Sequence, residues 1–334
     1  AWRATDHFND LAVRGDPGAV VVAMKPSGFR LPIDSTEWSL VTSMAALGDD
    51  ILVGGSFGGT LRIADKVVSS AGGSDGFLAR ISSTGQLVWL IRCGGGGADA
   101  IQGVSTSGNR IAIAGTFTAG ADLLGEPLKA YDERLPYADA FVAELDENGA
   151  RRWQQTLGGK GDEAVAGVAI DANGRVVIAG SGREVIYVGN QHLVTAGDSD
   201  GFVAWYGPKG EPQHAMLLGG FDDDGIRSIA AVDDRVVIGG FFSGQLKLGD
   251  RTLEADGKTG AGYDAYLVAI DGNGIASSTW HVGGAGSEDI VGVTAIAGGF
   301  IAGISHTGAA KLDDATLAAP TDPASGAAIV LRGL

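Results

Sequence analysis

The sequence predicts an all-β fold, a five-bladed β-propeller with four-stranded blades and one small hairpin insert per repeat. Three observations predict it. A unit of about 60 residues recurs along the chain. Within each unit, short alternating runs of β-branched and aromatic residues lie between Gly, Asn and Asp clusters. No helical period of useful length interrupts them.

The clearest marker is an Asp-[Gly/Ala]-[Phe/Tyr] triplet opening an apolar strand, at Asp75-Gly76-Phe77, Asp139-Ala140-Phe141, Asp200-Gly201-Phe202 and Asp264-Ala265-Tyr266. Its spacings are 64, 61 and 64 residues. The third copy illustrates the plan. Val165–Ile170 reads as a first strand, Asp171 to Gly174 as a turn, and Arg175–Gly180 as a second strand. A small hairpin follows, Val185–Val188 and His192–Thr195 about a Gly189-Asn190 turn. Phe202–Tyr206 is the third strand, and a fourth ends at Gly219-Gly220.

The other copies keep these offsets. The second strand closes on a small residue plus Gly at Gly54-Gly55, Ala114-Gly115, Ala179-Gly180, Gly239-Gly240 and Ala302-Gly303. The hairpin turns 9 or 10 residues later, at Ala64-Asp65, Gly125-Glu126, Gly189-Asn190, Gly249-Asp250 and Asp313-Asp314. A Gly-Gly pair begins 9 residues after each of the turn glycines Gly85, Gly149, Gly210 and Gly274. Strands apolar on both faces, such as Ile111 to Ala114, suit sheets stacked between neighbours, which is the propeller arrangement.

The ends carry partial copies. Ala19–Met24 and Phe29–Ile33 read as a third and fourth strand, and Ala328–Leu331 as a third strand. The expectation is one domain over 1–334, its ring closed by the strand pair in 17–33 and the strand in 326–334. Six copies of the third strand stand against five of the others, so a six-bladed ring and an open array completed by a partner stay open at this point.

Composition narrows the function classes. The chain has 334 residues, 45% hydrophobic and 19% charged, which is not a disordered composition. The net charge of −16 argues against a phosphate-binding nucleic-acid face and against anionic membrane surfaces. No apolar run approaches the roughly 20 residues a spanning helix needs, so no membrane insertion is expected. The single cysteine, Cys93, excludes an intrachain disulfide.

The string Gly-Gly-x-Asp-[Gly/Ala]-Phe, a turn glycine, Trp and Gly-Gly resembles the bacterial β-propeller repeat family named for seven-bladed propellers. The second copy carries it in Asp139, Ala140, Phe141, Val142, Gly149, Trp153, Leu157, Gly158 and Gly159. A hairpin ending Leu246 to Gly249 is similar to that of longer hypothetical proteins of myxobacteria and their relatives. The resemblance covers about residues 17–334. It implies an exported protein, extracellular, periplasmic or at the cell surface, and it implies no activity. The chain departs from the family in having about five copies and in placing Arg80 or Glu144 where the third strand usually carries lysine.

The candidate ligand-binding residues follow the repeat. An acid stands five residues after the first glycine of each Gly-Gly pair: Asp99, Glu163, Asp224 and Glu288. On one rim they would form a ring able to hold Ca²⁺, another hard cation or a cationic group. The competing reading is that each accepts N–H bonds from its glycine loop. Asp75, Asp139, Asp200 and Asp264 form a second ring, expected to cap turns. The tryptophans Trp89 and Trp153 are expected to pack between sheets, whereas Trp205 breaks the small-residue pattern of its strand and is a surface candidate. The five histidines share no repeat position, and no catalytic or metal-binding motif is present. Cys93 reads as a small hydrophobe rather than a nucleophile.

The sequence therefore predicts a non-enzymatic interaction or scaffold module with no obligatory cofactor. It would bind a protein partner, within a larger assembly or alone, through one rim where loops differ among repeats: Tyr131–Tyr137, Lys258–Tyr263 and Pro320–Ser325. The alternative is a lectin-like glycan binder with one site per repeat.

Overall fold

The computed structural model describes residues 11–13, 20–23, 29–249, 251–256, 262–284, 286–312, 315–318 and 326–332. Residues 17–19 and 333–334, the turn residues Asp250, Asp313 and Asp314, the loop Pro320–Ser325 and most of Lys258–Tyr263 lie outside them. The described residues are all-β, in antiparallel sheets without a helix. They fall into two compact units, Ala1–Gly158 and Gly159–Leu334.

In the first unit one sheet runs in chain order through Leu11–Val13, Val20–Ala23, Arg30–Ser35, Thr60–Ile63 and Lys66–Ser69. The next holds Trp38–Leu47, Asp50–Gly58, Asp75–Ile81 and Leu87–Gly94, extended by the short strands Asp122–Leu123 and Glu126–Pro127. Ala100–Ser107, Arg110–Phe117, Asp139–Asp146 and Arg151–Gly159 follow in antiparallel order. In the second unit the four-stranded plan recurs as Ala164–Ile170, Val176–Gly182, Asp200–Tyr206 and Pro212–Leu218. It recurs again as Gly225–Val232, Arg235–Phe242, Asp264–Asp271 and Ala276–Gly284, extended by Ala310–Leu312 and Ala315–Leu317. Glu288–Ile296, Gly299–His306 and Gly326–Arg332 form a three-stranded sheet.

The small hairpins do not extend the sheet of their own repeat. Leu123 pairs with Cys93, Ile63 with Ile33, and Leu312 with Val282, each on the last strand of the preceding repeat. Lys247 bridges back to Gly219 in the same manner. The cause is the period-2 pattern of the hairpin's first strand. Leu61 and Ile63, Ile186 and Val188, and Leu246 and Leu248 turn inward and are fully buried, while the residues between them face out. The hairpins at Ile63, Leu123, Lys247 and Leu312 thus clasp one repeat to the one before it.

Both glycine signatures are close-approach requirements. In the second strand, Gly240 lies opposite Tyr266 of the triplet, as Gly55, Gly115 and Gly180 lie opposite Phe77, Phe141 and Phe202. A Cβ on Gly240 would stand 2.0 Å from the Gly225 carbonyl oxygen and 3.0 Å from the Tyr266 ring. The glycine and the aromatic residue are therefore two halves of one contact, a ring laid over bare backbone. In the Gly-Gly pairs, the first glycine leaves room for the triplet carboxylate and the second for the incoming hairpin. A Cβ on Gly219 would meet Asp200 Oδ1 at 2.2 Å, and one on Gly220 would meet the Gln245 carbonyl at 1.8 Å.

The first strand of each of the five repeats, at the edge of its sheet, carries a β-bulge at the same place. The register skips Thr42, Gln102, Ala166, Arg227 and Val291. A bulge re-aims the side chain it inserts, so the repeat presents five chemically different residues at one structural position.

Candidate functional site

The structure buries the predicted carboxylates. Asp99, Glu163, Asp224 and Glu288 are at most 2% exposed. Two of them take the local role. Asp99 accepts N–H bonds from Gly95 at 2.6 Å and Thr118 at 2.7 Å. Asp224 accepts from Gly220 at 2.5 Å and Ser243 at 3.1 Å. Each carboxylate thus joins the glycine loop to the start of the next hairpin. Burial pushes the Asp224 carboxyl up to about 7, against the pull of those two N–H groups. As the side chains stand, no group of three or more His, Cys, Asp or Glu among the described residues is placed to hold a metal ion.

The triplet acids close the loops before their strands. Asp200 accepts the Ala196 N–H at 2.8 Å and Asp139 the Tyr131 N–H at 2.5 Å. Asp264 accepts the Asp256 N–H at 2.8 Å. The span is four residues in the short loops and eight in the two long ones, so the irregular loops are four-residue insertions closed by the same bond. Asp75 also pairs with Arg92, and Asp264 with His281 at 2.6 Å.

Trp205 is not on the surface. It is 1% exposed and packs against His214 at 5.4 Å between ring centres. Its strand is interior to a sheet covered on both faces, and all seven of its residues are buried. Trp89 and Trp153 pack as expected. Trp153 donates to Glu144 at 3.2 Å, and Trp89 to the Glu147 carbonyl at 3.1 Å. Cys93 is fully buried and its thiol is pushed far above the ordinary range, chiefly by burial and then by nearby carboxylates, so it is no nucleophile.

What departs from the repeat is a cluster in the second unit. At the bulge position other repeats have Thr42, Gln102, Ala166 and Val291; here stands Arg227. After the second-strand glycine, where Ser56, Thr116 and Ser181 stand in the preceding repeats, the chain has Phe241. Before the triplet acid, where Ser74, Ala138 and Ser199 stand, it has Tyr263. These three substitutions meet. The Arg227 guanidinium lies 4.4 Å from the Phe241 ring centre, and Phe241 meets Tyr263 edge-on at 4.9 Å. Arg227 also donates to Asp289 at 2.9 Å, on the first strand of the next sheet. Half of the Arg227 side chain remains exposed, Tyr263 is exposed, and Val291 beside Asp289 is 71% exposed. The patch combines a fixed cation and two rings in edge-to-face contact.

Tyr263 falls within a loop singled out from sequence. Arg227, Phe241 and Asp289 do not. The signal that could have found them is a charged or aromatic residue at a repeat position where no other copy has one. Comparison with protein-family models finds no match for the chain, and comparison with curated proteins finds none either.

Proposed function

We propose that the chain is a five-bladed propeller acting as a non-enzymatic interaction module, exported or held at the cell surface, that binds a protein partner through one rim. One observation carries this reading: Arg227, Phe241 and Tyr263 converge at positions where none of the other repeats carries a charged or aromatic residue. Tyr and Arg are the side chains that dominate protein–protein hot spots. A site built from departures is single and asymmetric, as a protein partner requires. A lectin with one site per repeat would need repeated exposed groups, and the repeated acids and Trp205 are buried.

The test is capture from the envelope fraction of the source cells with wild-type protein and with Arg227→Ala/Tyr263→Ala, beside a glycan array. The reading expects a discrete protein retained by wild type and lost with the double variant, and a blank array. Binding to glycans that survives the double variant would overturn it.

A further inference from the structure

The acid after the last Gly-Gly pair is a glutamate, and it behaves differently from its aspartate counterparts. Asp99 and Asp224 end on backbone N–H groups, one of them 19 residues downstream. The equivalent N–H for Glu288 is that of Thr307, and it is spent on the Ser287 carbonyl at 3.1 Å. The Glu288 side chain is one methylene longer, and its carboxylate makes neither bond. It is 0% exposed, and neither oxygen has a hydrogen-bond partner. A buried carboxylate without a donor is costly unless a charge compensates it.

Its neighbours are themselves ligand-type groups. The electrostatic environment of Glu288 is made by Asp264, Asp256 and His281. Those three surround a single glycine: a Cβ on Gly283 would lie 2.3 Å from Asp264 Oδ2, 2.8 Å from His281 Nε2 and 3.0 Å from Asp256 Oδ2. Asp264 is also fully buried, and its Oδ1 has no partner. Two carboxylates and one imidazole thus meet around backbone that bears no side chain, and the buried Glu288 carboxylate lies in their field. As the chain stands, His281 occupies Asp264 directly at 2.6 Å. A cation would separate the two and take both.

We infer that Asp256, Asp264, His281 and Glu288 form a binding site for one divalent cation of the zinc or manganese class. The imidazole selects this class over calcium, which prefers an all-oxygen set. The site belongs to one repeat alone. In the first unit Arg92 stands at the position of His281 and neutralises Asp75, and in the preceding copy Leu217 stands there.

The experiment is isothermal titration of the metal-stripped full chain with ZnCl₂, MnCl₂ and CaCl₂, with thermal melts beside it. One equivalent of Zn²⁺ or Mn²⁺ is expected to bind and raise the melting temperature. EDTA should reverse the effect, and Glu288→Gln and His281→Gln should each weaken binding at least tenfold. Glu288→Gln removes a buried charge and retains shape, so it remains folded for the measurement, and Asp224→Asn serves as a control that leaves binding intact. No heat and no melting shift with any of the three ions would overturn the inference. So would binding that survives Glu288→Gln, or a response to Ca²⁺ alone.

Discussion

Alanine at two equivalent glycines of the repeat should act with opposite sign. Gly240 and Gly303 both close a second strand in the second unit. On Gly240 a Cβ would stand 2.0 Å from the Gly225 carbonyl oxygen, with the Tyr266 ring closing the other side. Relief requires a backbone movement of more than about 1 Å in an interior strand, and overpacking of this kind costs about 1–3 kcal/mol or more. On Gly303 the nearest atoms among the described residues are Val291 Cβ at 3.7 Å and the Gly292 oxygen at 4.0 Å, ordinary contacts. Its cross-strand neighbour is Ala328, where the other repeats have an aromatic residue. There alanine restricts the unfolded chain and stabilises by about 0.4–1 kcal/mol. At about 2–4 °C per kcal/mol, differential scanning fluorimetry should show Gly240→Ala melting roughly 5–10 °C lower and Gly303→Ala unchanged or slightly higher. Equal losses from both would refute the glycine–aromatic account.

Three further outcomes follow from the same contacts. Leu123→Ala, which empties the buried side of a clasping hairpin, should cost about 2–5 kcal/mol in urea denaturation despite lying in a two-residue strand. A cost below about 0.5 kcal/mol would mean the hairpin is decoration. The Asp224 carboxyl, ordinarily at 3.8, is raised to about 7, so the folded state holds its proton longer than the unfolded chain. Its contribution is complete below about pH 4 and is lost as pH rises through 7; Asp224→Asn should flatten that decline in a pH series of urea midpoints, and an unchanged slope would contradict it. Cys93 should resist a thiol-labelling reagent in the native protein and react once the first unit unfolds, which mass spectrometry can follow; rapid native labelling would show that its slot opens.

Much of the fold was legible because repetition averages out the ambiguity of any one strand. Constant offsets located every strand of the third copy within a few residues, including its hairpin. The pairing of the hairpins was not legible, since a sequence that alternates inward and outward does not say which sheet edge receives it. Asp99 was legible as a recurring acid, yet its role follows from the Thr118 N–H 19 residues away. Trp205 was misjudged because a strand buried on both faces removes the distinction between small-residue and surface positions. The Arg227 cluster was hidden for a different reason. Repetition marks the residues that recur, and this cluster lies where the repeat is broken. The bulge that aims Arg227 leaves no mark in the sequence.

The asymmetric patch is tested most directly by a photo-crosslinking residue placed at Tyr263 and, separately, at its repeat equivalents Ser74 and Ser199, with irradiation of the source cells. A single discrete crosslinked protein from position 263 alone is the predicted result. No product at 263, or the same product from all three positions, would contradict a partner site built on the departures from the repeat.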